Sequence, residues 1–142
     1  MARIIGIDFG TRRIGLAMSD PTATIAQPLP ALTRRAGKRP PVQAIANLVR
    51  EHDVSAIVVG LPLSLAGDET DWTREVREFG AALAERSGVP VSFLDERMTS
   101  VHAEKTVRAL GLKRRERERK DRIDTAAALL ILQAFLDRRP RD

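Results

Sequence analysis

Apolar and polar positions change period along this chain, and the changes mark out its elements. Ala2 to Asp8 is an isoleucine-rich apolar run that predicts a buried strand. Gly10 and Thr11 predict a turn, and Arg13 to Met18 predicts a second strand paired back on the first. Ile25 to Leu32 predicts a third strand, confined to an edge because Pro28 and Pro30 cannot donate to a ladder. The period then lengthens. Pro41 opens a helix with Val42, Ile45, Leu48 and Val49 on one face. Val54 to Leu61 is a continuous apolar strand, and Pro62 to Asp71 is a loop carrying Gly67.

Trp72, Val76, Phe79 and Leu83 recur at spacings of four, three and four, which predicts a second helix closed by Gly88. Val89 to Leu94 predicts the next strand. Thr99 or Ser100 is placed to cap a further helix ending at Gly111, and residues 114–120 are strongly charged. A last helix is expected from about Asp121 to Asp137, apolar nearly all round between Ile123 and Phe135, as a helix buried against a sheet would be. Hairpin strands followed by alternating helices and strands predict an α/β fold: a mixed five-stranded sheet with helices on both faces. In such sheets functional groups gather outside the carboxyl ends of the parallel strands.

Composition narrows the class. The 142 residues suit one domain, and 43% hydrophobic with 30% charged residues is an ordinary globular balance. The absence of cysteine excludes a disulfide framework, thiolate zinc sites and a cysteine nucleophile. The longest apolar run, Ala126 to Leu132, is too short to span a bilayer, so no membrane partner is expected. Asp8 interrupts the apolar stretch a signal peptide needs, and a cytoplasmic protein is expected.

The net charge of +5 is unevenly spread. Arg34, Arg35, Lys38 and Arg39 fall in one short segment, and Lys113 to Arg122 holds seven basic against three acidic residues. The rest of the chain is mildly acidic. Two basic segments on such a body suit a polyanionic partner, while the plainer reading is solubility.

Three acids stand where an apolar pattern ends. Asp8 closes the first strand, Asp95 and Glu96 close the last, and Asp124 lies in the first turn of the last helix. Of the Asp95–Glu96 pair, Glu96 is the favoured ligand. Should the strands adjoin, Asp8 and Glu96 project from one edge and the last helix brings Asp124 to them. Grouped carboxylates repel and need protons or cations. Hard oxygen ligands select Mg²⁺ or Mn²⁺, an arrangement suited to phosphodiester hydrolysis. Asp121, three residues before Asp124, is a candidate fourth ligand. The alternatives stay open: acids in a first helical turn favour the helix dipole, and acids at strand ends are often solvated.

Gly6-Ile7-Asp8-Phe9-Gly10-Thr11 with Ile14-Gly15 resembles the opening motif of the bacterial pre-16S rRNA nuclease family, also called Holliday-junction-resolvase-like proteins. The resemblance continues in Val59-Gly60-Leu61-Pro62-Leu63 with Gly67, in Asp95-Glu96-Arg97 with Thr99-Ser100, and in Arg122-Ile123-Asp124 with Ala126 and Ala127. These motifs fall in the family's order and cover essentially the whole chain. The resemblance implies an RNase H-like fold and a metal-dependent nuclease acting on the 5′ end of the 16S rRNA precursor. It implies Asp8, Glu96 and Asp124 as ion ligands. Arg122 stands where the family commonly has Lys, which keeps the charge but exchanges a compact ammonium for a planar fork.

Thr11 and Arg12 follow Asp8 in a tight turn, where they either contact a phosphate or only shape the turn. Arg97 either grips a phosphate or locks the carboxylates by a salt bridge, the second being favoured. Arg34, Arg35, Lys38, Arg39 and the Lys113–Lys120 segment, which opens with Lys113, Arg114 and Arg115, are the expected backbone phosphate contacts. Trp72 fits a core face. One Trp, four Phe and no Tyr do not make a base-stacking platform. The expected substrate is therefore structured RNA, read through phosphates and shape. Branched DNA is the rival substrate, since both offer the same phosphodiester. A resolvase should be a symmetric dimer, whereas monomer or homodimer both suit RNA processing. Two further readings are an ATP-binding protein, because Gly6 to Thr11 also resembles the phosphate loop of actin and hexokinases, and a non-catalytic RNA-binding factor.

Overall fold

The computed structural model describes residues 3–35, 38–99 and 120–138, with the backbone alone for Met98 and residues 120–125. The helix expected to end at Gly111 and the basic stretch from Lys113 to Arg119 lie outside the described residues. Strands β1 (Arg3–Phe9), β2 (Arg13–Ser19) and β3 (Ala26–Thr33) come first. Helix α1 (Val42–Glu51), β4 (Val54–Leu61), α2 (Asp71–Ser87) and β5 (Val91–Asp95) follow, then a single 3₁₀ turn at Glu96–Met98 and helix α3 (Lys120–Arg138). The five strands form one mixed sheet in the order β3-β2-β1-β4-β5. The hairpin pairs are antiparallel, and β1-β4 and β4-β5 are parallel.

Residue type explains the placing. Pro28 and Pro30 sit on β3, which is an edge strand. Strands β1 and β4 are interior and apolar on both faces, which is why they read as unbroken runs. Strand β5 begins at Val91, two residues later than the apolar pattern suggests, because Pro90 has no amide to pair; its carbonyl accepts from Ile57 N at 2.9 Å. Pro41 is the N-cap of α1, one position before the first helical residue. Helix α2 starts with a capping box in which Thr70 and Thr73 exchange side-chain and backbone bonds, and it ends at Gly88 in the left-handed conformation (φ 76°).

Each sheet face has its own core. Ile5, Ile7, Phe9, Leu16, Val59 and Leu61 pack under α1 and α2 with Ile45, Val76, Phe79 and Leu83. Ile4, Ala17, Val58 and Leu94 meet Ala127, Ala128, Ile131, Leu132 and Leu136 of α3. Helix α3 lies very close to β1. A Cβ at Gly6 would stand 2.5 Å from Leu132 Cβ and 3.2 Å from the Ala128 carbonyl oxygen. Further along α3, Gln133 Oε1 accepts from Ala26 N at 3.3 Å. Ala26 pairs with Ser19 at the end of β2 that lies beside the start of β1. Helix α3 therefore runs opposite to β1, with its first turns toward the carboxyl end of that strand. Among the described residues no helix is long and apolar enough to cross a membrane.

Candidate active site at the carboxyl edge of the sheet

Asp8 is the sixth residue of β1 and lies on the α3 face, two positions after Gly6. It pairs with Gly15 on β2 and is only 2% exposed. On the other side the parallel register runs Ile7 with Val59, which brings Asp8 level with Gly60 of β4. Glu96 follows Asp95, which pairs with Leu61, and is also 2% exposed. Strand β4 thus lies between β1, which carries Asp8, and β5, which leads into Glu96. Gly60 closes the gap: a Cβ there would stand 2.8 Å from Glu96 Oε1 and 2.5 Å from Ile131 Cδ1. The Glu96 carboxylate lies over β4 at the level of Asp8. Gly60 is a close-approach position that patterning alone did not single out, although an isolated glycine within an apolar strand is itself a sign of one.

Asp124 lies four residues before Ala128 and seven before Ile131. The helical period places it on the row of α3 that meets Gly6 and Gly60, one turn nearer the carboxyl end of β1. The side chains of Asp121, Arg122 and Asp124 lie outside the described residues, as do Lys113, Arg114 and Arg115. Among the described residues no three acidic or imidazole side chains gather into a cation site.

The Asp95–Glu96 pair divides its work. Asp95 Oδ1 accepts from Arg97 N at 2.9 Å and caps the 3₁₀ turn. Its carboxylate takes Arg97 Nε at 3.1 Å and Nη2 at 2.7 Å. This hydrogen-bonded contact with Asp95 raises the Arg97 pKa above its ordinary value. Arg97 is thus in the salt bridge favoured from sequence. Its guanidinium also lies beneath the loop after β4: a Cβ at Gly67 (φ 90°) would stand 2.9 Å from Arg97 Nη1. That loop is a tight turn, with Ser64 N donating to Asp68 O and Gly67 N to Ser64 O, each at 2.9 Å. Its tip leaves Leu65 81% exposed. Buried Thr73 ties the loop to α2, its hydroxyl donating to the Pro62 carbonyl.

Thr11 and Arg12 are exposed at the β1–β2 turn beside Asp8, and Arg35 is exposed after β3. Arg34 is placed differently. Its Nη1 donates to Gly10 O at 2.8 Å and its guanidinium lies 4.4 Å from the Phe9 ring centroid. Trp72 is half-buried, stacks on Phe9 at 5.4 Å and packs against the core, on the face its spacing suggested.

The family described as RuvX: Holliday junction resolvase matches residues 2–138. A protein of Koribacter versatilis named as a pre-16S rRNA nuclease is 44% identical over 140 residues, covering 99% of this chain and 90% of its own. One of the same name from Maridesulfovibrio salexigens is 39% identical over 136 residues, covering 96% of this chain and 98% of its own. Among solved structures, T. thermophilus RuvC in complex with Holliday junction substrate superposes with a TM-score of 0.57 at 18% identity, covering 97% of this chain and 96% of that one. The fowlpox virus Holliday junction resolvase gives 0.51 at 12% identity, covering 95% and 98%. At such identities the solved structures speak for the fold, which is the RNase H-like fold of RuvC-type resolvases.

Proposed function

The chain belongs to the RuvX family, and from that premise we propose that it is a divalent-metal-dependent nuclease processing the 5′ end of the 16S rRNA precursor in the cytoplasm. The observation that carries this reading is the pair of buried carboxylates, Asp8 and Glu96, set level on one sheet face across Gly60. Two acids buried on one sheet face at the same level favour a cation that neutralises them. An all-oxygen donor set fits Mg²⁺ or Mn²⁺.

Asp8, Glu96 and Asp124 would hold the metal, with Asp121 as a candidate fourth ligand. When bound, it supplies Lewis acidity at the phosphoryl oxygens and neutralises the acids. The burial of Asp8 and Glu96 keeps bulk water from competing for their oxygens. Thr11 and Arg12, exposed on the turn beside Asp8, orient the scissile phosphate. Arg97 fixes Asp95 and the loop after β4, so the 3₁₀ turn presents Glu96 in one direction. Arg35, Lys113, Arg114, Arg115 and Arg122 contribute further phosphate contacts along structured RNA.

The test is cleavage by wild type and Asp8→Asn, side by side, of a structured rRNA-precursor RNA and a four-way DNA junction, each with Mg²⁺, Mn²⁺ or EDTA. RNA cut by wild type alone, and only with metal, is the expected result. Activity that survives in Asp8→Asn overturns the site. The family's description favours a second reading, resolution of branched DNA, for which a homodimer is expected because two opposed strands must be cut. Symmetric junction cuts with RNA untouched would make that reading primary. Tight binding without cleavage of either substrate would point to a non-catalytic factor.

A further inference from the structure

We infer that Arg34 is a positioning residue for the proposed active site, clamping the turn that follows Asp8, and that it makes no phosphate contact. This rests on the nuclease reading and deepens it. Arg34 stands immediately after β3 and reaches the β1–β2 turn by two independent hydrogen bonds. Its amide donates to Arg12 O at 2.7 Å, and its Nη1 donates to Gly10 O at 2.8 Å. Its guanidinium lies over Phe9, 4.4 Å from the ring centroid. Phe9 is itself stacked on Phe79 at 4.2 Å and on Trp72 at 5.4 Å. The clamp therefore connects the turn to α2 through an aromatic cluster.

The turn has little freedom left. Gly10 N donates to Arg13 O at 3.0 Å, and a Cβ at Gly10 would stand 2.5 Å from that same oxygen. Asp8 lies two residues before Gly10, and exposed Thr11 and Arg12 follow it. A rotation of the Phe9–Gly10 segment would swing the Asp8 carboxylate and the phosphate-facing turn together. A planar guanidinium stacks on an aromatic ring and donates in its own plane at once, which an ammonium does not. Arg34 Nε is buried, with no hydrogen-bond partner among the described residues. The edge of the fork that carries Nε and Nη1 thus faces the turn, while its neighbour Arg35 is exposed.

Arg34→Lys and Arg34→Gln separate geometry from charge. Cleavage of the structured RNA gives kcat and KM. The salt dependence of RNA binding is read with each change combined with Asp8→Asn, so that nothing is cut. Amide chemical shifts report where the backbone responds. Both substitutions are expected to lower kcat about 10- to 100-fold, the scale of a small misplacement of reacting groups. KM should stay within about twofold, the salt slope should be unchanged, and the shifts should centre on residues 8–13. A Lys variant equal to wild type, with a Gln variant whose slope flattens by about 0.7–0.9, would make Arg34 a phosphate contact and overturn the inference. Unchanged kcat in both variants would overturn it too. Should Arg34→Gln not fold, Arg34→Lys decides alone, since it keeps the charge. An inactive wild type would count against the nuclease reading, while the salt slope and amide shifts would still judge the clamp.

Discussion

Gly60 and Glu96 are fitted to each other: the hydrogen in place of a side chain at Gly60 leaves the space in which the Glu96 carboxylate lies, 2.8 Å from where a Cβ would be. Gly60→Ala would also press on the buried end of Ile131. The expected cost is about 1–3 kcal/mol of stability, as for overpacking elsewhere. Cleavage should fall further than the loss of folded protein accounts for, because Glu96 must move. Thermal melts paired with kcat check this, and a normal kcat would sink it.

Gly6→Ala has the same chemistry but harder neighbours. The new methyl would meet Leu132 Cβ and Cα and the Ala128 carbonyl, atoms that move only if α3 moves. A loss of about 3 kcal/mol or more is expected, larger than at Gly60. Denaturant midpoints for the two variants should fall in that order.

Metal should stabilise the folded chain. At 100 times its Kd a cation held by Asp8 and Glu96 adds about 2.7 kcal/mol. Addition of Mg²⁺ or Mn²⁺ is expected to raise the Tm of wild type and to leave Asp8→Asn and Glu96→Gln unmoved. Equal shifts in all three would place the cation elsewhere.

Asp20 gives a pH signature remote from the site. Hydrogen bonds from the Thr22 hydroxyl, and from the Ile25 and Thr24 amides, lower its pKa from 3.8 to about 2. A lowered native value means a stabilising contribution that is complete above the unfolded value and lost as pH falls through the native one. Carboxyl NMR should titrate Asp20 near 2, and Thr22→Val should move it upward. Asp20→Asn should lose less stability than wild type between pH 4 and pH 2, the window set by those two values.

Asp95 and Arg97 are partly exposed, so their pairing should contribute little to global stability. A double-mutant cycle is expected to give about 0.2–1 kcal/mol. The local effect is larger: Arg97→Ala should speed proteolysis within residues 62–68, because the guanidinium lies under Gly67 and its Nη1 reaches the Leu65 carbonyl at 3.5 Å. Unchanged cutting of that loop would show that the turn holds itself.

Much of this was legible in the residues. Val54 to Leu61 reads as one strand with the bounds the structure gives, because an interior parallel strand is apolar on both faces. Pro28 and Pro30 betray an edge. Other features depend on partners distant in sequence. That β4 lies between β1, which bears Asp8, and β5, which leads into Glu96, is a matter of sheet order, which no local period encodes. The 3₁₀ turn at Glu96 is too short to leave a periodic trace. Arg34 and Arg35 are chemically identical in the sequence; only the position of Phe9 and Gly10 sends one inward and leaves the other in solvent.

Among the described residues, helix α3 is the element that covers one face of the sheet, yet protein synthesis reaches it only after all five described strands have been made. A nascent chain that has emerged through β5 still shows Ile4, Ala17 and Val58 on its open side, a patch for chaperones to shield. Asp8 and Glu96 then also await the helix that carries Asp124. Under the proposed mechanism, activity begins only once α3 has been made, so a copy still lacking that helix does not threaten the ribosome producing it.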